Sequence, residues 1–211
     1  ATRWVASWKV QSTRFCKLPM YRDGSTSYFS KHIYSSIHWE LAYKDFHGKD
    51  NPVLSCLCRT FGLYWGMDRK DLTDLDLLAR YHDLGKLLVP NDVLFKPEPL
   101  TEEEWEEIRL HPIIGSRMAK ALPGLEHISH LILTHHERWD GGGYPGGISG
   151  KDIPFLSRIL SIIDAYDAMV AKRPYRACKA THEQALDEIR SCAGTQFDPR
   201  IARFFVSDFF W

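Results

Sequence analysis

The sequence predicts an all-α fold, a helical bundle preceded by an irregular N-terminal segment. From about residue 50 onward, apolar residues recur at intervals of three and four rather than two. Helix-start signals punctuate the same stretch at Asp50-Asn51-Pro52, Thr101-x-x-Glu104, Thr181-x-x-Gln184 and Asp198-Pro199. No segment alternates apolar and polar residues well enough to make a convincing strand, and no internal repeat is visible.

Residues 1–45 carry Trp4, Trp8, Phe15, Tyr21, Tyr28, Phe29, Tyr34 and Trp39, broken near Gly24, with no recognisable motif. They read as a cap or as the remnant of an upstream domain, leaving 46–211 as the main domain. The first predicted helix follows Pro52, with Val53, Leu54, Leu57, Cys58 and Phe61 on one face, and ends at Gly62. A second spans about 71–83, with Leu75, Leu78, Ala79 and His82 on a shared face and Gly85 as its stop. Three prolines make 87–100 an extended loop, and the Thr101 capping box opens a helix to about Leu110. Pro112 keeps His111 out of the α region and starts a helix to about Leu122. After the Pro123-Gly124 turn, a helix over about 126–137 ends in His135-His136, followed by the glycine-dense loop DGGGYPGGISG. Pro154 leads the apolar helix FLSRILSIIDAYDAMV, whose only acids are Asp164 and Asp167, and two further helices begin at Thr181 and Asp198.

Composition narrows the function. Lysine and arginine total 27 against 27 acidic residues, so no long nucleic-acid polymer is expected as a partner and any nucleotide site must be local. Five cysteines without a CxxC pair point away from a disulfide framework or zinc ribbon and towards a reducing cytoplasm. No apolar run approaches the roughly 20 residues of a membrane span. The chain begins at Ala1 without Met, which fits a fragment whose upstream sensory or membrane part is missing.

Six of the ten histidines lie within residues 82–136, among them His82, His111, His130, His135 and His136. Hard divalent cations need carboxylate and imidazole ligands from several elements, and a bridging carboxylate lets two ions share a site. His82-Asp83 at one helix end, His111 at a proline break, His135-His136 at another helix end and Asp164 form such a set. Asp164 is the sharpest member, because an acid between Ile162, Ile163 and Ala165 is costly to bury without a compensating cation.

Lys86, just past the second helix, can bind a phosphate oxygen or remain a solvated lysine. Arg173 and Arg176, spaced by Pro174-Tyr175, can clamp a phosphate or a guanine edge, or pair with acids such as Asp187. The loop Gly143-Tyr144-Pro145 can approach a substrate, meet a partner protein, or support the helix that carries the histidines.

The blocks HDLGKLLVPNDVLFKP (82–97), LTEEEW (100–105), HPIIG (111–115), HHERWDGGGYPGG (135–147), RILSIIDAYDAM (158–169), RPYR (173–176) and GTQFDP (194–199) resemble, in order, the HD-GYP phosphodiesterases. The resemblance implies a helical bundle of the HD superfamily type that hydrolyses a cyclic dinucleotide, above all cyclic di-GMP, to a linear dinucleotide. It implies two divalent metal ions, usually iron or manganese, held by His82, Asp83, His111, His135, His136 and Asp164, with Asp83 as bridge and as a group able to orient the attacking hydroxide. Gly143, Tyr144 and Pro145 match the signature tripeptide. The family also has an upstream histidine ligand accompanied by a glutamate four residues earlier. Here the nearest candidate is His47, with Tyr43 at the companion position, so His47 stands as an extra ligand outside a two-metal core. Cyclic GMP-AMP as substrate, or a catalytically silent sensor or interaction module, are the competing readings. A signalling-protein partner and a homodimer are compatible with all of them.

Overall fold

The computed structural model of the protein describes residues 52–171 and 180–209. Segment 1–45, His47, the Asp50-Asn51 cap, Arg173 and Arg176 lie outside the described residues. The elements are α1 (Pro52–Trp65), α2 (Arg69–Tyr81), α3 (Asn91–Leu94), α4 (Glu102–Arg109), α5 (His111–Ala121), α6 (Ser129–Thr134), α7 (Phe155–Val170), α8 (His182–Ser191) and α9 (Pro199–Phe204). Short 3₁₀ turns occupy Leu84–Leu88, Glu126–Ile128 and Gly150–Asp152, and the last described residues, Phe205–Phe209, form a π turn. Among the described residues there is no strand, only an isolated bridge between Ala193 and Phe197.

Helix α7 is the centre, in contact with α1, α2, α6, α8 and α9. Its Ile159, Leu160, Ile162 and Ile163 are fully enclosed and join Leu54 and Phe61 of α1, Leu75 and Leu78 of α2, and Phe205 in one core. Each such side chain contributes roughly 1.5–3 kcal/mol of apolar burial, which makes α7 the rigid reference for everything attached to it.

The two capping boxes form as expected. Thr101 accepts from the Glu104 amide while Glu104 accepts from Thr101, and Thr181 and Gln184 do the same. Asp198 receives the amides of Arg200 and Ile201. Other boundaries move. Helix α1 continues through Gly62, where a Cβ would lie 2.6 Å from Leu72 Cδ2, and closes at Gly66 with φ +83°. Gly62 is thus a packing glycine and Gly66 the cap. Val53, placed on the core face by periodicity, is 56% exposed. The stretch 87–100 is not simply extended, since it holds the end of a 3₁₀ turn and α3. His111 is the first residue of α5 rather than lying outside it, with Leu110 alone separating α4 from α5.

Gly85 does not end α2 by adopting a left-handed conformation. It lies inside the 3₁₀ turn after His82-Asp83, and its bare Cα sits against the start of α5. A Cβ there would collide with the His111 carbonyl oxygen and stand 2.6 Å from the Gly115 amide nitrogen. From the other side, a Cβ on Gly115 would lie 3.0 Å from Gly85 N. This backbone-to-backbone contact brings the His82-Asp83 corner beside His111.

The contact sets a clear expectation for Gly85→Ala. Backbone atoms cannot swing aside as a side-chain tip can, so the variant should lose about 1–3 kcal/mol of stability in urea unfolding, the usual range for overpacking. A wild-type midpoint would show that the two segments are not tightly interlocked.

Candidate metal centre

Three imidazoles are held in the same way. Nδ1 of His82 lies 3.0 Å from the Ala79 carbonyl oxygen, Nδ1 of His111 lies 2.7 Å from that of Ile108, and Nδ1 of His135 lies 2.6 Å from that of Ile132. A carbonyl oxygen can only accept, so each Nδ1 carries a hydrogen and each ring turns its Nε2 inward, as a bare lone pair on His111 and His135, which burial keeps neutral. The lone pairs meet. His111 Nε2 is 3.3 Å from His135 Nε2 and 3.3 Å from Asp83 Oδ1. His82 Nε2 is 3.4 Å from Asp83 Oδ2 and 3.9 Å from Asp164 Oδ1. One ligand atom from each of Asp83, His111, His135 and His136 lies within 4.8 Å of the others.

Acceptors that face one another need something positive between them. Asp83 Oδ1 is buried without a hydrogen-bond partner, a costly state for a carboxylate oxygen unless a cation completes it. Donation of Nδ1–H to a backbone carbonyl is also the arrangement that orients metal-binding imidazoles. The donor set therefore fits a divalent cation.

Charge is balanced locally. Burial works against the His82 imidazolium, but the Asp83 and Asp164 carboxylates outweigh it and raise His82 to about 9. Burial lowers His111 to about 4 against the pull of Asp83, and burial with neighbouring imidazoles pushes His135 and His136 well below their ordinary value. Burial alone would raise Asp83, yet the Lys86 ammonium and the His82 ring hold its carboxyl well below the usual range. Lys86 Nζ donates to Asp83 Oδ2 at 2.7 Å.

His82, Asp83, His111, His135, His136 and Lys86 thus come together, with Asp164 at the rim. Asp164 is not the buried acid that the apolar flanks implied. Its side chain is 31% exposed, and Asp167, a turn later, is the buried one. His130 is exposed on α6. The Gly143-Tyr144-Pro145 loop folds back on the histidine pair, and the Tyr144 ring stacks on His136 with centroids 4.9 Å apart and planes 26° apart. Burial raises the Tyr144 phenol, so it stays neutral.

Two features had no counterpart in the sequence reading. Thr134 Oγ1 and Ser157 Oγ are 3.0 Å apart in a buried pair that ties α6 to α7. Glu137, next to the histidines, is buried, and its Oε1 accepts the Gly146 amide at 2.6 Å. Its one signal was an acid directly after a histidine pair and before a glycine-rich loop.

A helical bundle with an inward-facing imidazole–carboxylate cradle places the protein among metal-binding helical domains. An HD domain family model matches residues 38–201, and the chain belongs to that family, in its HD-GYP branch. It is 39% identical over 143 residues to a cyclic di-GMP phosphodiesterase of Thermotoga maritima, covering 67% of this chain and 39% of the relative. It is 36% identical over 190 residues to the cyclic di-GMP phosphodiesterase response regulator RpfG of Xanthomonas campestris pv. campestris, covering 89% of this chain and 44% of the relative. The chain therefore spans less than half the length of these curated relatives. A solved structure of a cyclic GMP-AMP specific phosphodiesterase from V. cholerae shares the fold at TM-score 0.54 and 20% identity, over 71% of this chain and 41% of that one. No helix among the described residues is long and apolar enough to cross a membrane.

Metal ligands must be deprotonated, and at neutral pH only His82 among these rings holds an extra proton. Manganese uptake at pH 7.5 should therefore release about one proton per chain from this cluster. The release should fade as the pH passes about 9, where His82 is already neutral. Calorimetry in buffers of different ionisation enthalpy checks this, and release independent of pH would contradict the assignment of the proton to His82.

Proposed function

We propose that this chain is a metal-dependent phosphodiesterase that hydrolyses a cyclic dinucleotide, with cyclic di-GMP as its substrate and the linear dinucleotide as product. The observation that carries the reading is the meeting of bare Nε2 lone pairs with the unpartnered Asp83 Oδ1, beside the Lys86 ammonium that touches the same carboxylate. The names of the relatives supply the substrate class.

His82, Asp83, His111, His135, His136 and Asp164 would hold two ions, iron or manganese, with Asp83 reaching both. Bound there, a divalent cation lowers the pKa of water and neutralises charge on the non-bridging phosphate oxygens. The chain's own groups do the rest. Asp83, with one oxygen towards His82 and the other towards His111, is placed to receive a hydrogen bond from the attacking water. Lys86 reaches the same point and can donate to a phosphate oxygen. Arg173 and Arg176, and His47 as an additional ligand, complete the proposal from outside the described residues. The Tyr144 loop lies against His136, which favours its role as support over direct contact with the nucleotide.

The manganese-loaded chain should convert cyclic di-GMP to linear product resolved by chromatography. Asp83→Asn and His135→Ala should each slow it at least about 100-fold, since metal-centred stabilisation is worth several kcal/mol. Cleavage of cyclic GMP-AMP alone would reassign the substrate. Failure with both, together with nucleotide binding unaffected by Asp83→Ala, would replace the enzyme reading with that of a sensor.

A further inference from the structure

His136 differs from its neighbours in what holds it. The other three rings of the cluster are each pinned through Nδ1 to a carbonyl three residues back, whereas among the described residues no carbonyl receives an N–H of the His136 ring. An imidazole without such an orienter can turn about its side-chain torsions, which weakens it as a ligand. What faces it is aromatic. Tyr144 stacks at 4.9 Å, and His135 lies at 4.0 Å between centroids with planes 42° apart.

The stack is only as firm as the loop that delivers Tyr144, and that loop is fastened at both ends. At its start, Asp140 Oδ1 accepts the Gly142 amide at 3.0 Å while Arg138 grips the same carboxylate at 2.7 Å. In the middle, the Gly143 Cα rests on the backbone after the histidine pair. A Cβ there would collide with Arg138 N and stand 2.6 Å from both Glu137 Cα and the His136 carbonyl oxygen. The Tyr144 amide donates to that same carbonyl at 3.3 Å. Beyond Tyr144, the fastening is Glu137, whose side chain is enclosed and whose Oε1 takes the Gly146 amide.

We infer that Glu137 is a positioning residue: it clamps the Gly143–Gly147 loop so that the Tyr144 ring takes the place of the missing carbonyl anchor and sets the orientation of His136. The inference rests on the proposed metal site but concerns only how this chain orients one of its ligands. It explains why an acid stands immediately after the two histidines although its carboxylate turns away from the cradle and towards the loop amides. It also gives the signature tripeptide a division of labour, in which glycine permits the close approach and tyrosine supplies the flat surface.

The test is manganese affinity of the full chain, measured by calorimetry and independent of turnover. Glu137→Ala and Tyr144→Ala should each weaken binding about tenfold, the lower end of what loss of an outer-shell partner costs. The double variant should be no weaker than the worse single. Glu137→Gln, which keeps one carbonyl for the Gly146 amide, should recover most of the affinity. In a His136→Ala background, adding Glu137→Ala should change nothing, an outcome that general loss of structure could not produce. Wild-type affinity in Glu137→Ala, a full-sized effect persisting without His136, or additive losses in the double variant would each overturn the inference. Should Glu137→Ala not fold, Glu137→Gln and Tyr144→Ala carry the same comparison. A wild-type chain that takes up no manganese would bring down the metal reading itself, a different failure from a metal-binding chain indifferent to Glu137.

Discussion

The bond from an imidazole Nδ1–H to a carbonyl in the last turn of a helix is the constraint on which this site depends. Ala79 is in the last turn of α2, Ile108 in that of α4 and Ile132 in that of α6. Carbonyls in the last turn lack an intrahelical donor, and the helix dipole makes them the negative end. Each therefore attracts an N–H, and the histidine just past the helix supplies it. A ring held this way has one torsional choice and one tautomer, so Nε2 points forward from the helix end. Three helix ends arranged around one point then yield three inward Nε2 atoms, with Asp83 entering from the same corner as His82.

Bringing those ends together is work done by the scaffold. The Gly85–Gly115 contact sets the His82-Asp83 corner against the start of α5, and the Thr134–Ser157 pair fixes the end of α6 to α7. Helix α7 carries Asp164 to the rim while burying its isoleucines beneath the site. Enclosing several imidazoles and a carboxylate opposes folding, because their charged forms are disfavoured and their polar atoms need partners. The apolar core on the other side of α7 offsets this.

What could be read in the sequence follows the range of the interactions. Capping boxes at Thr101 and Thr181 join residues three apart, and both form as their spacing implies. The histidines and Asp83 were legible for a related reason, since chemistry that tolerates few residue types marks its positions. Gly62, Gly66 and Gly85 were not separable by local rules, because whether a glycine serves a left-handed turn or a close approach depends on what the fold puts opposite it. Asp164 and Asp167 sit on one apolar helix, and only the packing of α7 decides that the second is enclosed and the first open to the cradle. Glu137 escaped for the same reason, its partner Gly146 lying across a loop whose path the sequence does not reveal.

Within the proposed function, the charge arrangement makes metal and substrate binding depend on each other. Without a cation, Asp83 is neutralised by Lys86 at 2.7 Å and by a His82 ring that retains its proton at neutral pH. With a dication held by these residues, His82 would lose its proton and Asp83 would loosen its hold on the Lys86 ammonium, since a carboxylate shared with a metal is a poorer partner for lysine. Lys86 would then be an unsatisfied donor at the edge of a positive site, and the anion that best relieves it would be one able to meet the cations as well. A phosphodiester does so in one group, which is why the Lys86–Asp83 pair is better understood as a placeholder for substrate than as a structural salt bridge.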